Sequence, residues 1–225
     1  MAGRGIPVIA IDGPSASGKG TIAAAVARQL GFHYLDSGAL YRIVGLVAGE
    51  RRVNLENDLE VSNIALNLNI KFDGESVLVD GREVSGLIRG EVAGAAASKV
   101  AALPGVRAAL MTLQHNFRRP PGLVADGRDM GSVVFPDAGL KIYLTATPEE
   151  RALRRYKQLI TKGVDASMAA LLQDIRDRDL RDSTRAAAPL LKCADAIEFD
   201  TTGVPVEAVV AKVLQLYQEQ QKSTK

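Results

Sequence analysis

The sequence predicts an α/β fold built on a parallel sheet with helices on both faces. Two observations carry that reading. Five short apolar runs, Val8–Asp12, Phe32–Leu35, Leu123–Asp126, Leu140–Thr145 and Ala196–Asp200, have the look of strands buried on both faces. Helical patterns separate them, and alternating strands and helices mean parallel crossovers and a doubly wound sheet. At 225 residues the chain suits one such domain with a sizeable core and a small insert. Ligands in such sheets gather at the carboxyl ends of the strands. The polar residues that follow these strands fit the rule: Gly13 to Thr21, Asp36-Ser37, and Asp126-Gly127-Arg128-Asp129.

The elements follow in order. The first helix is expected over Gly20–Leu30, an alanine-rich stretch, and the second over Ala39–Ala48. A third covers Asp58–Leu68 and a fourth Glu91–Ala102. Pro104 opens another at its first turn, where a missing N–H costs nothing. In Thr147-Pro148-Glu149-Glu150, Thr147 caps, Pro148 takes the first helical position and Glu150 can close a capping box. That helix is expected to run to about Lys162, where Gly163 stops it. The next starts near Ser167 and passes Asp179, and the last covers about Pro205–Tyr217. One stretch breaks the rhythm. Residues 69–84 alternate apolar and polar around two turn signals, which predicts a small antiparallel hairpin or three-stranded insert. The polar tail, Gln218 to Lys225, is expected to fray.

Composition excludes more than it assigns. The chain is 47% hydrophobic and 24% charged, which is ordinary globular usage. A net charge of +2, 4% aromatics and no tryptophan leave neither the basic face nor the stacking platforms of a nucleic-acid binder. Cys193 is the lone cysteine and His33 and His115 the only histidines. No intrachain disulfide is therefore possible, a structural zinc site is not expected, and both histidines are expected to be packed or at the surface. The apolar run after Arg4 ends at Asp12 without a small-residue cleavage site, so no signal peptide is read there. No segment approaches the length of a membrane span. The expectation is a cytoplasmic protein that touches neither membrane nor nucleic acid, and a monomer, since no long exposed apolar stripe stands out.

The chemistry starts at Gly13-Pro14-Ser15-Ala16-Ser17-Gly18-Lys19-Gly20-Thr21, between an expected strand and an expected helix. That is the context a phosphate-binding loop requires. Glycines let backbone N–H groups curl round a polyphosphate, the helix N-terminus adds partial positive charge, and Lys19 brings a full one. A plain glycine-rich turn is the alternative, but chance would produce this spelling in roughly one chain of this length in a few thousand. The strict pattern puts Ser or Thr directly after the lysine. Here Gly20 stands there and Thr21 follows, an ending that resembles nucleoside monophosphate kinases rather than GTPases.

Three arginine groups lie beyond the loop. Arg128 closes an expected buried strand, where a structural ion pair is the plain alternative. Arg151, Arg154 and Arg155 share a helix, 151 with 154 and 151 with 155 on common faces. In the run 174–185, Arg178, Asp182 and Arg185 fall on one stripe if the helix reaches 185. For both helices the spacing alone also allows a solvated face laced with ion pairs. Arginine clusters matter because transfer to a phosphate acceptor needs no general base. Two highly charged groups must be neutralised and aligned, and arginine's planar fork does this without losing its charge.

With these residues stated, the chain resembles the bacterial-type cytidylate (CMP/dCMP) kinases, P-loop nucleoside monophosphate kinases, over Ile6 to about Tyr217. Four segments carry the likeness: Ile11 to Thr21, Leu35-Asp36-Ser37-Gly38-Ala39-Leu40-Tyr41-Arg42, Ala125-Asp126-Gly127-Arg128-Asp129-Met130-Gly131, and Arg178 to Pro189. The resemblance implies a P-loop NTPase fold in one kinase domain. Its core would cover about 6–36, 104–154 and 186–217, its monophosphate-binding region about 37–103 with the insert at 69–84, and its helical lid about 155–167. It also implies roles. Residues 13–21 would hold the phosphates of ATP, with Lys19 on the β and γ groups. Thr21 would stand nearest Mg²⁺, directly or through water, and Asp12 would meet the ion's water shell. Arg151 would lie against the adenine ring, while Arg154 and Arg155 would close on the phosphates from the lid. Ser37, Tyr41, Arg42, Gly127, Arg128, Arg178 and Arg185 would surround the acceptor's phosphate and sugar, and Asp182 would accept from a sugar hydroxyl. Lys19, Arg128, Arg155, Arg178 and Arg185 would be the catalytic set.

Ser98, Arg107 and Asp129 would read the base. Cytosine's exocyclic amino group can donate to the Asp129 carboxylate, and Arg107 can donate to N3 and O2. Uracil places a carbonyl where that amino group stood. The mispairing costs about 1–3 kcal/mol, or about tenfold or more in discrimination. Ser98 in the run Ala95 to Ser98 is otherwise a plain packing residue. Kinases of AMP, UMP or dTMP, and a GTPase-like switch, are the competing readings. The second is disfavoured by the missing Asn-Lys-x-Asp element and by Gly20.

Overall fold

The computed structural model describes residues 5–73, 76–161 and 163–223. The chain divides into two compact units. One comprises the described residues of Met1–Leu35 and Phe117–Lys225, the other Asp36–Asn116.

The first unit holds the sheet. Its strands are β1 (Val8–Asp12), β2 (His33–Asp36, whose last residue opens the second unit), β6 (Leu123–Gly127), β7 (Leu140–Thr145) and β8 (Ile197–Asp200), in the order β2-β6-β1-β7-β8. The pairs β6–β1, β1–β7 and β7–β8 are parallel. All five expected strands are present, each within a residue or so of its expected bounds. The chain runs from β1 outward to one edge and then back across to the other. β1 is therefore the switch point, and its carboxyl end opens the crevice where α/β sheets bind ligands.

Helices α1 (Lys19–Leu30) and α8 (Val206–Ser223) flank this sheet. Ile9, Ile11, Val124, Ile142 and Leu144 pack with Ile22, Val26, Val209 and Val213 in one buried cluster. Burial of each such side chain is worth about 1.5–3 kcal/mol, so β1 is held on apolar contacts while its polar carboxyl end stays free for other work. α8 reaches Ser223 rather than fraying after Tyr217. Its last turns are held by Gln215 donating to Glu219 Oε1 at 2.7 Å and by the Gln220 side chain on Gly139 O. Thr224 and Lys225 lie outside the described residues.

Helices α6 (Pro148–Thr161) and α7 (Met168–Thr184) form a pair. Thr147 Oγ1 accepts from Glu150 N at 3.2 Å, the expected cap, and Ser167 caps α7 by accepting from Ala170 N. Past α6, Gly163 N and Val164 N bond back to Ile160 O and Leu159 O. Of the expected lid, 155–161 are thus helix and 163–167 a connection, with Lys162 outside the described residues. α7 stops at Thr184, and Arg185 is its extended C-cap, so the expected helical stripe is broken one residue early.

The second unit contains α2 (Ser37–Glu50), α3 (Asp58–Asn67), β3 (Ile70–Asp73), β4 (Ser76–Val79), β5 (Arg82–Glu83), a 3-10 turn Leu87–Arg89, α4 (Glu91–Val100) and α5 (Pro104–His115). The insert is an antiparallel β3-β4-β5 sheet as expected, Gly74-Glu75 lying outside the described residues. α5 departs from expectation. The sequence reading assigned residues from 104 onward to the core, yet α5 belongs to this unit, where Asp58 at the start of α3 accepts from Gly105 N at 3.0 Å. A carboxylate beside a helix N-terminus satisfies N–H groups that have no partner within the helix. That tie spans 47 positions of sequence and leaves no local signal.

Candidate active site

The loop after β1 is shaped by one close approach. At Gly13, a Cβ would sit 2.2 Å from Leu144 O, so only glycine lets the loop press against the end of β7. Ala16 and Gly18 take positive φ values of 59° and 89°. Gly18 caps α1 with no side-chain hydrogen bond, which leaves the helix's first N–H groups for a ligand. Lys19 is buried, and its Nζ reaches back over the loop to Pro14 O at 3.0 Å. Gly20 faces Tyr34 and Asp126: an added Cβ would stand 3.5 Å from Tyr34 Oη and 3.8 Å from Asp126 Oδ2. Thr21, the next residue on α1, is exposed.

Two carboxylates border this loop. Asp12 is buried, and its oxygens accept from Met130 N and Gly131 N, both at 2.8 Å. Burial pushes its pKa up, Asp129 adds to the rise, and the two N–H groups and Lys19 oppose it, leaving a value of about 6. Asp126 is buried at the end of β6, and Tyr34 donates to its Oδ1 at 2.8 Å. The sequence reading placed Asp126 in a polar segment after the strand but gave it no role. The signal was its position: Asp126 is in register with Ile11 on β1, one residue from the loop's root. Among the described residues no three His, Cys, Asp or Glu side chains gather as a metal cage. A cation here would therefore rest on one or two protein oxygens, phosphates and water, which is how Mg²⁺ is usually held. Asp12, Asp126 and the Thr21 hydroxyl fit that chemistry.

Arg128, Asp129, Arg178, Asp182 and Arg185 of this unit stand in ion pairs. Arg128 follows β6, and its Nε donates to Asp182 Oδ2 at 2.8 Å. Gly127 is the buried last residue of that strand. Asp129 and Arg185 face each other at 3.8 Å with side chains 3% and 5% exposed. Arg178 is buried and pairs with Asp174 at 3.3 Å. Burial alone would raise the Asp182 carboxyl, but the charge and hydrogen bond of Arg128, with Arg185 and Lys19, hold it below the usual range. The two faces of α7 differ. Arg176 pairs with Glu149 in solvent, while Arg178 and Asp182 turn inward. Arg185 joins them although the helix ends at Thr184, because its extended C-cap carries Nε to Ala188 O at 2.7 Å.

The α6 arginines are placed differently. Arg151 is buried and donates to Ala146 O, Ser15 O and both oxygens of Asp179. Its edges are thus committed to protein, and a base ring against it would use its face. Pro14, Thr147, Arg151 and Asp179 line a cleft of about 570 Å³. Arg154 donates to Glu150, Ser17 O and Thr201. Arg155 donates to Gln158 at 3.2 Å along α6.

The second unit contributes its own set. Ser37 is the buried first residue of α2, beside the capping carboxylate of Asp36. One turn on, the buried Tyr41 lies under the Arg107 guanidinium, 5.8 Å from its ring centroid, a cation–π contact. Arg107 Nη1 also donates to Ala101 O at 3.2 Å. Arg42 is half-buried and donates to Ile88 O at 2.8 Å, and Ser98 is half-buried on α4. Tyr41 and Arg107 are thus brought together from 66 positions apart on the chain (107 − 41).

This geometry can be set beside known proteins. The family model described as cytidylate kinase matches residues 9–219. The cytidylate kinase of Nitrosomonas europaea is 52% identical over 99% of this chain and 100% of that protein. The cytidylate kinase of Chromobacterium violaceum is 54% identical over 97% and 98%, and that of Bordetella pertussis 54% over 94% and 95%. Among solved structures, a gluconokinase from Sinorhizobium meliloti 1021 superposes over 99% of this chain and 100% of its own with a TM-score of 0.51 at 14% identity, a likeness of fold alone. A loop built for polyphosphate, a buried arginine–carboxylate network beside it, and a match to one family over nearly the whole length converge: the chain belongs to the cytidylate kinase family.

Proposed function

We propose that the chain transfers the γ-phosphoryl group of ATP to CMP or dCMP, giving ADP and CDP or dCDP by direct in-line displacement with no phosphoenzyme. The observation that carries this is the network Arg128–Asp182 and Arg185–Asp129 with Arg178, beside the loop in the same unit. It supplies fixed positive charge for a second phosphate, which a simple nucleotide hydrolase does not need.

In this reading the loop N–H groups and Lys19 hold the donor's phosphates. When ATP binds, Lys19 exchanges Pro14 O for phosphate oxygens. Arg128, Arg178 and Arg185 orient the acceptor phosphate, already an ionised nucleophile near neutral pH. Mg²⁺ would be held through Thr21, Asp12 and Asp126 and would supply neutralisation of charge on the β and γ groups. Ser37, Tyr41 and Arg42 serve the acceptor's phosphate and sugar, and Asp182 accepts from a sugar hydroxyl. Ser98, Arg107 and Asp129 select cytosine. Arg155 closes on the phosphates from the lid and excludes water. No helix among the described residues is long and apolar enough to cross a membrane, which accords with a cytoplasmic enzyme acting on small molecules, and we take it to work as a monomer.

A coupled ADP-release assay over CMP, dCMP, UMP, AMP and dTMP tests this. CMP or dCMP should exceed UMP by about tenfold or more in kcat/KM. AMP or dTMP running ahead of CMP by that factor would overturn the base-reading roles of Asp129 and Arg107.

A further inference from the structure

A phosphate-binding loop works only if its N–H groups point inward, so its carbonyls must be held outward. Here they are held by other side chains. Ser15 O accepts from Arg151 Nη1 at 3.1 Å, and Ser17 O accepts from Arg154 Nη1 at 3.3 Å. Both arginines come from one face of α6, three residues apart. Each is itself pinned. Asp179 of α7 takes Arg151 bidentately, at 3.0 and 2.5 Å. Thr201, after β8, accepts from Arg154 through Oγ1 at 3.1 Å and through its carbonyl. Its hydroxyl also lies 3.2 Å from Ser17 O and 3.0 Å from Thr145 O, and its one proton can serve either. Thr201 is 2% exposed and the Arg151 side chain 3%, so water does not replace these bonds readily.

From this geometry we infer that Asp179 and Thr201 are positioning residues for the donor nucleotide, acting through Arg151 and Arg154 on the carbonyls of Ser15 and Ser17. In this reading both act on the loop through the two arginines rather than on the nucleotide itself. Asp179 adjoins Arg178 on α7, so one helical turn carries both an acceptor-side cation and the anchor of the donor loop. The inference rests on the loop being the ATP site.

The test compares Asp179→Asn, Thr201→Val and Thr201→Ser with the parent enzyme. KM for ATP, KM for CMP, kcat and thermal midpoint are measured in each. The neutral amide of Asp179→Asn cannot hold Arg151 bidentately, and ATP KM should rise about fivefold or more while CMP KM stays within about twofold. Thr201→Val, which keeps the shape and loses the hydroxyl, should raise ATP KM about threefold, and Thr201→Ser should restore it. If Asp179→Asn does not fold, the Thr201 pair decides the matter alone. A lowered thermal midpoint with ATP KM within about twofold in folded variants means a purely structural role and overturns the inference. So does an equal rise in both KM values. A parent enzyme that fails to turn over ATP with any monophosphate would instead sink the reading of the loop, a distinguishable result.

Discussion

Two buried aspartates at this site titrate in opposite directions. Asp12 is pushed up to about 6 by burial, whereas Asp182 is held below its ordinary value because arginines outweigh its burial. The signs follow by linkage. The raised Asp12 contributes stability that is complete below about pH 4 and lost as pH rises through about 6. Charging it in the fold costs about 3 kcal/mol at neutral pH. The depressed Asp182 contributes stability present above about pH 4 and lost as pH falls through its lower folded value. Asp182→Asn should therefore destabilise by about 2 kcal/mol at pH 7, discounted from a fully buried pair because Arg128 is partly exposed. The loss should shrink below pH 4. Thermal unfolding of both proteins at pH 7 and at pH 3 checks this, and a pH-independent difference would contradict it. Asp12 and Asp182 were legible as carboxylates at the ends of a strand and a helix. Their titration was not, since it depends on partners 118 and 54 positions away.

Among the elements, most helices and strands were legible because their signals are local. Thr147 caps where expected, α7 starts next to Ser167 as expected, Pro104 opens α5, and the 69–84 alternation makes β3-β4-β5. Where elements differed, a distant contact decided. α5 sits in the second unit because Asp58 holds its N-terminus. α2 approaches α4 so closely that a Cβ on Gly45 would stand 2.8 Å from Ala96 Cβ. Gly45→Ala should then destabilise by about 1–3 kcal/mol through overpacking, despite alanine's better helix propensity. Thermal denaturation measures it, and a stabilised variant would show that the two helices can separate without cost.

For the molecule as a whole, the net charge is only +2, and the proposed function assigns its clustered arginines to phosphate. Arg155 donates to Gln158 along α6 at 3.2 Å, while Arg151 and Arg154 donate to the loop carbonyls of Ser15 and Ser17. The proposed mechanism assigns Arg155 to closure on the phosphates of the loaded enzyme. Arg155→Ala should lower kcat about a hundredfold, the scale of losing one transition-state donor, with CMP affinity changed by less than about threefold. Steady-state kinetics and calorimetric titration of CMP separate the two effects. Weakened CMP binding at an unchanged kcat would remove Arg155 from the phosphate-closing role.

From its sequence alone this chain determined its sheet, its phosphate-loop motif and the candidate residues for two phosphate sites. Those follow from apolar runs, capping chemistry and short motifs, all of which act between near neighbours. Only the tertiary structure decided which acceptor holds which arginine. Arg128 on Asp182, Arg151 on Asp179 and Arg154 on Thr201 join residues 28 to 54 positions apart. A guanidinium pairs with whichever acceptor packing brings within about 3 Å, and spacing along the chain does not contain that distance.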